Sequence, residues 1–260
     1  MEQLSLGEGG TPEVEVELSG RLVRAKLEHL SPTGSFKDRG AVWLVAGALA
    51  EGATRVVADS SGNAGAAVAA YAARGGIAAT IYVPASAPPG KRRALDRYGA
   101  DVRVIDGTRA DVAAAAIADV DATGAFYASH VWNPLFLLGT RAIFDELDPV
   151  PEFVVLPVGN GTLVLGAALA DRGCEIVGVR AQPGSIADGI DVASPPRWAE
   201  VDAVVDHWIE VTDGDIVEAQ RALAAQGLAV EPTGAVAAAA IEHLDDDDAD
   251  VVVPLTGALK

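Results

Sequence analysis

The sequence has little lysine, one cysteine and no long apolar run. Lys and Arg together number 19 among 260 residues, and the only lysines are Lys26, Lys37, Lys91 and Lys260. Because Cys174 is the single cysteine, an internal disulfide and a multi-cysteine metal site are excluded. No apolar stretch reaches the roughly 18 to 20 residues of a membrane helix, and the N-terminus lacks the pattern of a signal peptide. We therefore expect a cytoplasmic protein with no membrane partner.

The charge of the chain is strongly negative. The 37 Asp and Glu residues exceed the 19 Lys and Arg residues and give a net charge of −18 at pH 7. Such a surface repels nucleic-acid phosphates, so we expect no nucleic-acid partner. Scarce lysine and abundant acid together suggest a protein adapted to high salt, where repulsion between like charges is screened. The acidic cluster at Asp245–Asp250 is typical of a solvated loop.

Short apolar runs alternate with alanine-rich helical stretches along most of the chain. This alternation predicts an α/β fold with parallel sheets and crossover helices. Two alternating runs, 14–18 and 21–28, flank Ser19-Gly20 and predict an additional β-hairpin. The proline-broken segment Leu147–Glu152 is the best candidate for a domain boundary. The predicted strands lie in residues 55–60, 79–84, 101–106, 125–130, 153–159, 175–181, 207–212 and 250–257, and the predicted helices in 63–74, 91–98, 109–120 and 140–147.

Three turns that follow predicted strands carry polar residues and glycine. In open α/β sheets, ligands bind outside the carboxyl ends of strands. "DSSGNAG" (Asp59–Gly65) and "PVGNGTLVLG" (Pro157–Gly166) each open a helix, whose N-terminal N–H groups favour an anion. "PLTG" (Pro254–Gly257) ends the last strand. Helix capping explains the first turn equally well, and each turn alone is a weak signal. The four histidines form no spaced cluster, so the sequence assigns no metal.

A fourth segment, "SPTGSFKDRG" (Ser31–Gly40), places Lys37 beside Phe36 in a turn-rich stretch. With "SSGNAG", "PVGNGT" and "PLTG" in this order, the chain resembles the fold-type-II pyridoxal-phosphate enzymes of the tryptophan synthase β-like superfamily. The nearest likeness is to threonine synthase and the serine/threonine dehydratases. "SIADGI" (Ser185–Ile190) and "VEPTGA" (Val230–Ala235) strengthen it. The resemblance implies two three-layer α/β domains with mainly parallel sheets and the cofactor in the cleft between them.

The resemblance also implies a domain division and a homodimer. Residues 1–31 and 146–260 would form the larger domain, which binds the cofactor phosphate. Residues 32–145 would form the smaller domain, which closes over a small amino-acid substrate. Dimers are common in the family, so we expect a homodimer.

The resemblance further implies a role for each matching residue. Lys37 would hold pyridoxal 5'-phosphate as an imine and then accept the substrate Cα proton, which requires an amine that can lose its own proton. The remaining matches fall into two groups. Those that contact the cofactor are Phe36, Asn63, Gly159, Asn160, Gly161, Thr162 and Thr256. Those that bind the substrate carboxylate are Ser61, Gly62 and Ala64.

One departure from the family pattern leaves the substrate open. Threonine synthases usually carry an arginine for the substrate phosphate at the place of Phe136, and Arg141 lies nearby but is offset. The resemblance favours γ-elimination of phosphate from O-phosphohomoserine with β-addition of water. A dehydratase that forms a 2-oxo acid and ammonia, a β-replacement enzyme, and a catalytically degenerate or cofactor-binding paralogue are the alternatives.

Overall fold

The computed structural model describes residues 3–190, 192, 195–246 and 248–259. These residues form two units. The lysine unit comprises residues 3–8 and Lys37–Gly139, and the glycine-loop unit comprises Gly9–Phe36 and residues 140–259. Each unit is a parallel sheet with helices on it, so the structure has the α/β class expected from the sequence.

The lysine unit has a four-stranded, fully parallel sheet in the order β5-β4-β3-β6. Its strands are β3 (Arg55–Ala58), β4 (Ala78–Pro84), β5 (Asp101–Ile105) and β6 (Phe126–Tyr127). Its helices are α1 (Lys37–Ala50), α2 (Asn63–Gly75), α3 (Pro89–Asp96), α4 (Arg109–Thr123) and the first half of α5 (Pro134–Asp145). Helices α1 and α2 pack together against one face, through a core that contains Val56, Ala58 and Ile81.

The glycine-loop unit has a six-stranded sheet in the order β1-β2-β10-β7-β8-β9. Strands β1 (Glu13–Leu18) and β2 (Arg21–Lys26) form the predicted hairpin, which is antiparallel. The parallel strands β7 (Phe153–Pro157), β8 (Glu175–Ala181), β9 (His207–Val211) and β10 (Val251–Pro254) complete the sheet. The helices are α6 (Thr162–Ala170), α7 (Trp198–Asp202), α8 (Asp213–Ala225) and α9 (Pro232–Ala239), with short 3-10 helices at Glu28–Leu30 and Ile241–His243.

Burial on both faces explains the continuous apolar runs of this sheet. Every residue of β7 and β10 is buried, as expected for central strands of a parallel sheet covered by helices. One face packs on α8 and α9 through Val155, Val177 and Val253. Helix α6 contacts β7 and β8 as well. The predicted strands are confirmed in position and in type.

Two features differ from the sequence-based expectation. Residues 3–8 belong to the lysine unit, although 1–31 were assigned to the larger domain; the rest of that stretch, from Gly9, lies in the glycine-loop unit. Leu4 packs within the core of the lysine unit, and Tyr71 donates a hydrogen bond of 2.9 Å to Glu8. Helix α5 begins at Pro134, whereas 140–147 was predicted. Proline suits the first helical position, and the Asn133 side chain accepts the Leu135 N–H at 3.0 Å.

No helix in the part of the chain that the structure describes is both long and apolar enough to cross a membrane.

Candidate active site

Lys37 is the first residue of α1 in the lysine unit. Its Nζ lies 5.6 Å from the centroid of the Phe136 ring. The ring of His130 stands edge-on to the same phenyl ring, with the two centroids 6.0 Å apart. An aromatic ring within about 6 Å of an ammonium attracts its charge. The amine predicted to be catalytic therefore lies against two neutral rings of its own unit.

The side chain of Phe136 is fully buried and contributes to the packing of its unit. Its ring packs on Gly40 so tightly that a Cβ at Gly40 would overlap it. An arginine side chain there would place an ionised group in this apolar contact, at a large desolvation cost. The structure thus gives a physical reason for the departure from the threonine synthase pattern: this position forms part of the core beneath Lys37.

His130 is half-buried and remains neutral over a wide pH range. Burial lowers its pKa to about 3, and the positive charges of Lys37 and Arg109 act in the same direction. The sequence assigned His130 no role in the site. Its relation to Lys37 depends on contacts distant in the chain, which no spacing rule reveals.

The predicted substrate loop leads directly into α2. Ser61 and Gly62 precede the helix, Asn63 is its first residue and Ala64 is buried in its first turn. Gly62 occupies the N-cap position, where no side chain hydrogen-bonds to the first turn. By contrast, α4 and α8 each begin with a complete capping box, at Thr108 and Thr212. The first-turn N–H groups of α2 are therefore placed to receive an external anion such as a carboxylate.

Gly65 explains why the loop turns so tightly into the helix. A Cβ at this position would overlap the carbonyl oxygen of Ser60. Behind the loop, Tyr127 donates a hydrogen bond of 3.0 Å to Asp59. Burial raises the pKa of Asp59, although this hydrogen bond opposes the shift. Asp59 and Tyr127 were not among the predicted site residues. Their hydrogen bond joins the ends of β3 and β6 at the edge of the sheet where the loop begins.

The second predicted anion site begins α6 in the glycine-loop unit. Gly159 and Asn160 follow β7, Gly161 is the N-cap and Thr162 is the first helical residue. Gly161 has φ of +82°, and a Cβ there would collide with Val201. A Cβ at Gly159 would lie 2.7 Å from the carbonyl oxygen of Gly189. Both positions require glycine, and again no side chain caps the helix.

Phe36 and Thr256 lie side by side in the same unit. The Phe36 N–H donates to the Thr256 carbonyl at 3.2 Å, and Ser35 forms an isolated bridge with Gly257. The Thr256 hydroxyl is buried and donates to the carbonyl of Thr233 at 3.3 Å. The segment before Lys37 is thus fastened to the end of β10. The predicted residues Phe36 and Thr256 are brought together.

The segments "SIADGI" and "VEPTGA" support this part of the site. The carbonyl oxygen of Gly189 lies so close to Gly159 that a Cβ there would overlap it. The Gly189 N–H donates to the Thr233 hydroxyl at 3.2 Å. The carbonyl of Thr233 in turn accepts the hydrogen bond from the Thr256 hydroxyl. One connected set of contacts therefore links the glycine loop to the end of β10. The sequence associated these segments with the family but assigned them no position.

Comparisons with known proteins identify the family of this chain. A family model described as "Pyridoxal-phosphate dependent enzyme" matches residues 4–257. Threonine synthase from Halalkalibacterium halodurans is 32% identical over 92% of this chain and 77% of its own. Threonine synthase from Mycobacterium leprae is 32% identical over 92% of this chain and 76% of its own. Among solved structures, a threonine deaminase from T.th. superposes with a TM-score of 0.83 at 27% identity, covering 96% of this chain and 92% of that one.

Proposed function

Because the chain belongs to the pyridoxal-phosphate-dependent enzymes, we propose that it is a lyase that acts on a small amino acid in the manner of threonine synthase. The observation that carries the proposal is the position of Lys37 at the start of α1, packed beside α2 with its uncapped first turn. The sequence relatives favour the same chemistry, since both threonine synthases cover most of this chain.

The residues present fit the cofactor on the evidence of the glycine loop. A phosphate needs neutral donors and close approach to the backbone, and Gly159 and Gly161 tolerate no side chain. Ser35, fully buried beside Gly257, has an Oγ without a hydrogen-bond partner in the described part of the chain. A buried polar atom of this kind is expected to meet a ligand or an ordered water.

Each residue has a proposed task. The loop from Gly159 to Thr162 would hold the phosphate, Asn63 the ring hydroxyl, and Thr256 would face the ring nitrogen beside Phe36. When bound, the cofactor supplies an electron sink for the substrate Cα. A threonine hydroxyl carries no negative charge, so it does not favour a protonated ring nitrogen, and this suits elimination better than transamination.

The substrate would be oriented by its carboxylate. The backbone N–H groups near Ser61, Gly62 and Ala64 would bind that group, and the ε-amino group of Lys37 would accept and return the Cα proton. The Phe136 ring lies beside this amine and packs against the imidazole of His130, whose pKa is lowered to about 3, so neither ring adds a charged group next to it.

A serine/threonine dehydratase is the second candidate. Phe136 favours it, because a buried phenyl ring offers no charge to a substrate phosphate. Threonine synthase chemistry by this chain would need a different phosphate contact. A homodimer and a cytoplasmic location stay predictions from the sequence.

The test is a substrate panel with the cofactor-loaded protein. O-phosphohomoserine should release phosphate and form threonine if the first candidate is right. Threonine or serine should give a 2-oxo acid and ammonia if the dehydratase is right. Absence of product from all three, with the cofactor bound, would contradict both and leave a β-replacement enzyme or a non-catalytic cofactor-binding protein.

Lysine substitutions test the attachment point. Lys37→Ala should abolish the visible absorbance of lysine-bound cofactor and all turnover. Lys91→Ala changes a lysine of α3 and should retain both. If Lys37→Ala keeps the absorbance, the lysine assignment is wrong even though the family assignment stands.

A further inference from the structure

We propose that Asp215, Glu242 and His243 form a binding site for a first-row divalent cation such as Zn²⁺. The first residue lies in the first turn of α8 and the other two in the 3-10 helix Ile241–His243, all within the glycine-loop unit. One ligand atom from each lies within 4.8 Å of the others. One imidazole nitrogen and two carboxylate oxygens are ligands that zinc accepts.

One imidazole nitrogen lies close to both carboxylates at once. His243 Nε2 lies 3.5 Å from Asp215 Oδ2 and 3.3 Å from Glu242 Oε1. Hydrogen bonds between nitrogen and oxygen are usually about 2.7–3.2 Å long. Two ligands about 2.0–2.2 Å from zinc, at the tetrahedral angle, lie about 3.3–3.5 Å apart. The imidazole nitrogen thus faces both carboxylates at the separation that ligands around one ion adopt.

A second histidine of the same unit provides the contrast. His207 Nε2 lies 2.6 Å from Glu175 Oε2, which is a direct hydrogen bond. His207 is also exposed, and no second carboxylate joins it in the clusters found among the described residues. The difference between the two histidines therefore lies in their geometry, not in exposure.

The surroundings of Asp215 would orient it as a ligand. Its Oδ2 accepts the Thr212 N–H at 2.7 Å, as part of the capping box of α8. Outer hydrogen bonds of this kind fix the orientation of a ligating carboxylate and commonly tune metal affinity.

Space for the remaining ligands adjoins the cluster. Asp215 and Glu242, but not His243, line a cavity of about 90 Å³ together with Glu218. Because a water needs only about 10–15 Å³ of such space, waters can lie beside these carboxylates. The extra carboxylate of Glu218 adds negative charge. Hard cations such as Mg²⁺ prefer sites made only of oxygen, so the imidazole favours zinc and its neighbours.

A metal here would join two elements distant in the chain. It would fasten the start of α8 to the 3-10 helix that follows α9. An ion that binds the folded state and not the unfolded chain stabilises the fold by mass action. The expected consequence is higher thermal stability of the whole chain in the presence of zinc, independent of the cofactor.

The test is zinc titration of the full-length, chelator-stripped protein against a chromophoric competitor. We expect one tight equivalent in the wild type and affinity reduced about tenfold or more in His243→Ala. His207→Ala is the matched control and should bind as the wild type does. Equal zinc binding by wild type and His243→Ala, or an equal loss in His207→Ala, overturns the proposal.

A second variant separates ligation from folding. Asp215→Asn keeps an oxygen that can cap α8 but removes the charge, so it should fold and still lose zinc affinity. In parallel, zinc should raise the melting temperature of the wild type and leave that of His243→Ala unchanged. An equal rise in both proteins would show that the stabilisation comes from elsewhere and would contradict the proposed site.

Discussion

At the scale of single residues, His130 makes a specific prediction about pH. An unfolded histidine has a pKa of about 6.5, whereas in the native chain the pKa is lowered to about 3, by burial first and then by Lys37 and Arg109. Below a pH of about 6.5 the unfolded state therefore binds a proton that the native state does not. Stability should fall as the pH drops from about 6.5 toward 3, by at most about 1.4 kcal/mol per pH unit from this group.

Urea unfolding at pH 7.5, 6.0 and 5.0 measures this effect. His130→Asn should lose less stability than the wild type over that range. His207→Asn removes an exposed histidine and should follow the wild-type curve more closely. Parallel curves for wild type and His130→Asn would show that this imidazole protonates as readily in the native chain as in the unfolded one.

The same residues show what sequence could and could not predict. Lys37 was predicted because a lysine in a specific motif is a strong local signal. The proposed metal site was not, because Asp215 and His243 belong to elements far apart in the chain, and spacing rules detect only nearby ligands. That Phe136 stands in the place of an arginine stays a prediction, and its burial depends on the packing of α1 against α5, which the sequence does not encode locally.

At the scale of elements, two glycines of α1 allow a matched comparison of how tightly this helix is packed. A methyl group at Gly40 would overlap the fully buried ring of Phe136, whereas one at Gly47 would meet only the Cδ1 end of the half-exposed Leu135. Alanine gains about 1 kcal/mol over glycine in either place. Overpacking at Gly40 should cost about 1–3 kcal/mol, because the buried ring has little room to move.

Chemical unfolding of the two variants tests the pair. Gly40→Ala should be less stable than Gly47→Ala, and Gly47→Ala should equal or exceed the wild type. Equal stability of the two variants would mean that the ring of Phe136 moves aside as easily as the methyl group of Leu135. Since that ring also lies beside Lys37, the result bears directly on how firmly the lysine is supported.

Elements were more predictable than their arrangement. Strands such as β7 and β8 are indicated by buried apolar runs, and the hairpin of β1 and β2 by alternation around Ser19-Gly20. The start of α5 was missed, although Pro134 stands at the first helical position, which proline favours. The order of strands in each sheet follows from pairing between distant segments, so no local pattern could provide it.

At the scale of the whole molecule, the net charge of −18 predicts a response to salt. With 37 acidic and 19 basic residues, repulsion between like charges disfavours the compact state at low ionic strength. The Debye length falls from about 10 Å at 0.1 M to about 3 Å at 1 M, so molar salt screens most of this repulsion. We expect the melting temperature to rise steeply with KCl between those concentrations.

Removing charge from an exposed cluster should reduce that response. Asp245, Asp248 and Asp250 are all exposed, but Asp250 pairs with Arg24 at 2.7 Å and is therefore left unchanged. The double variant Asp245→Asn, Asp248→Asn should therefore melt higher than the wild type at 0.1 M KCl and converge with it at molar salt. If the two proteins keep a constant difference at every salt concentration, the effect of the substitutions is local. A wild-type melting temperature that does not rise with salt would contradict the idea of salt adaptation altogether, because the repulsion would then have no measurable influence on the fold.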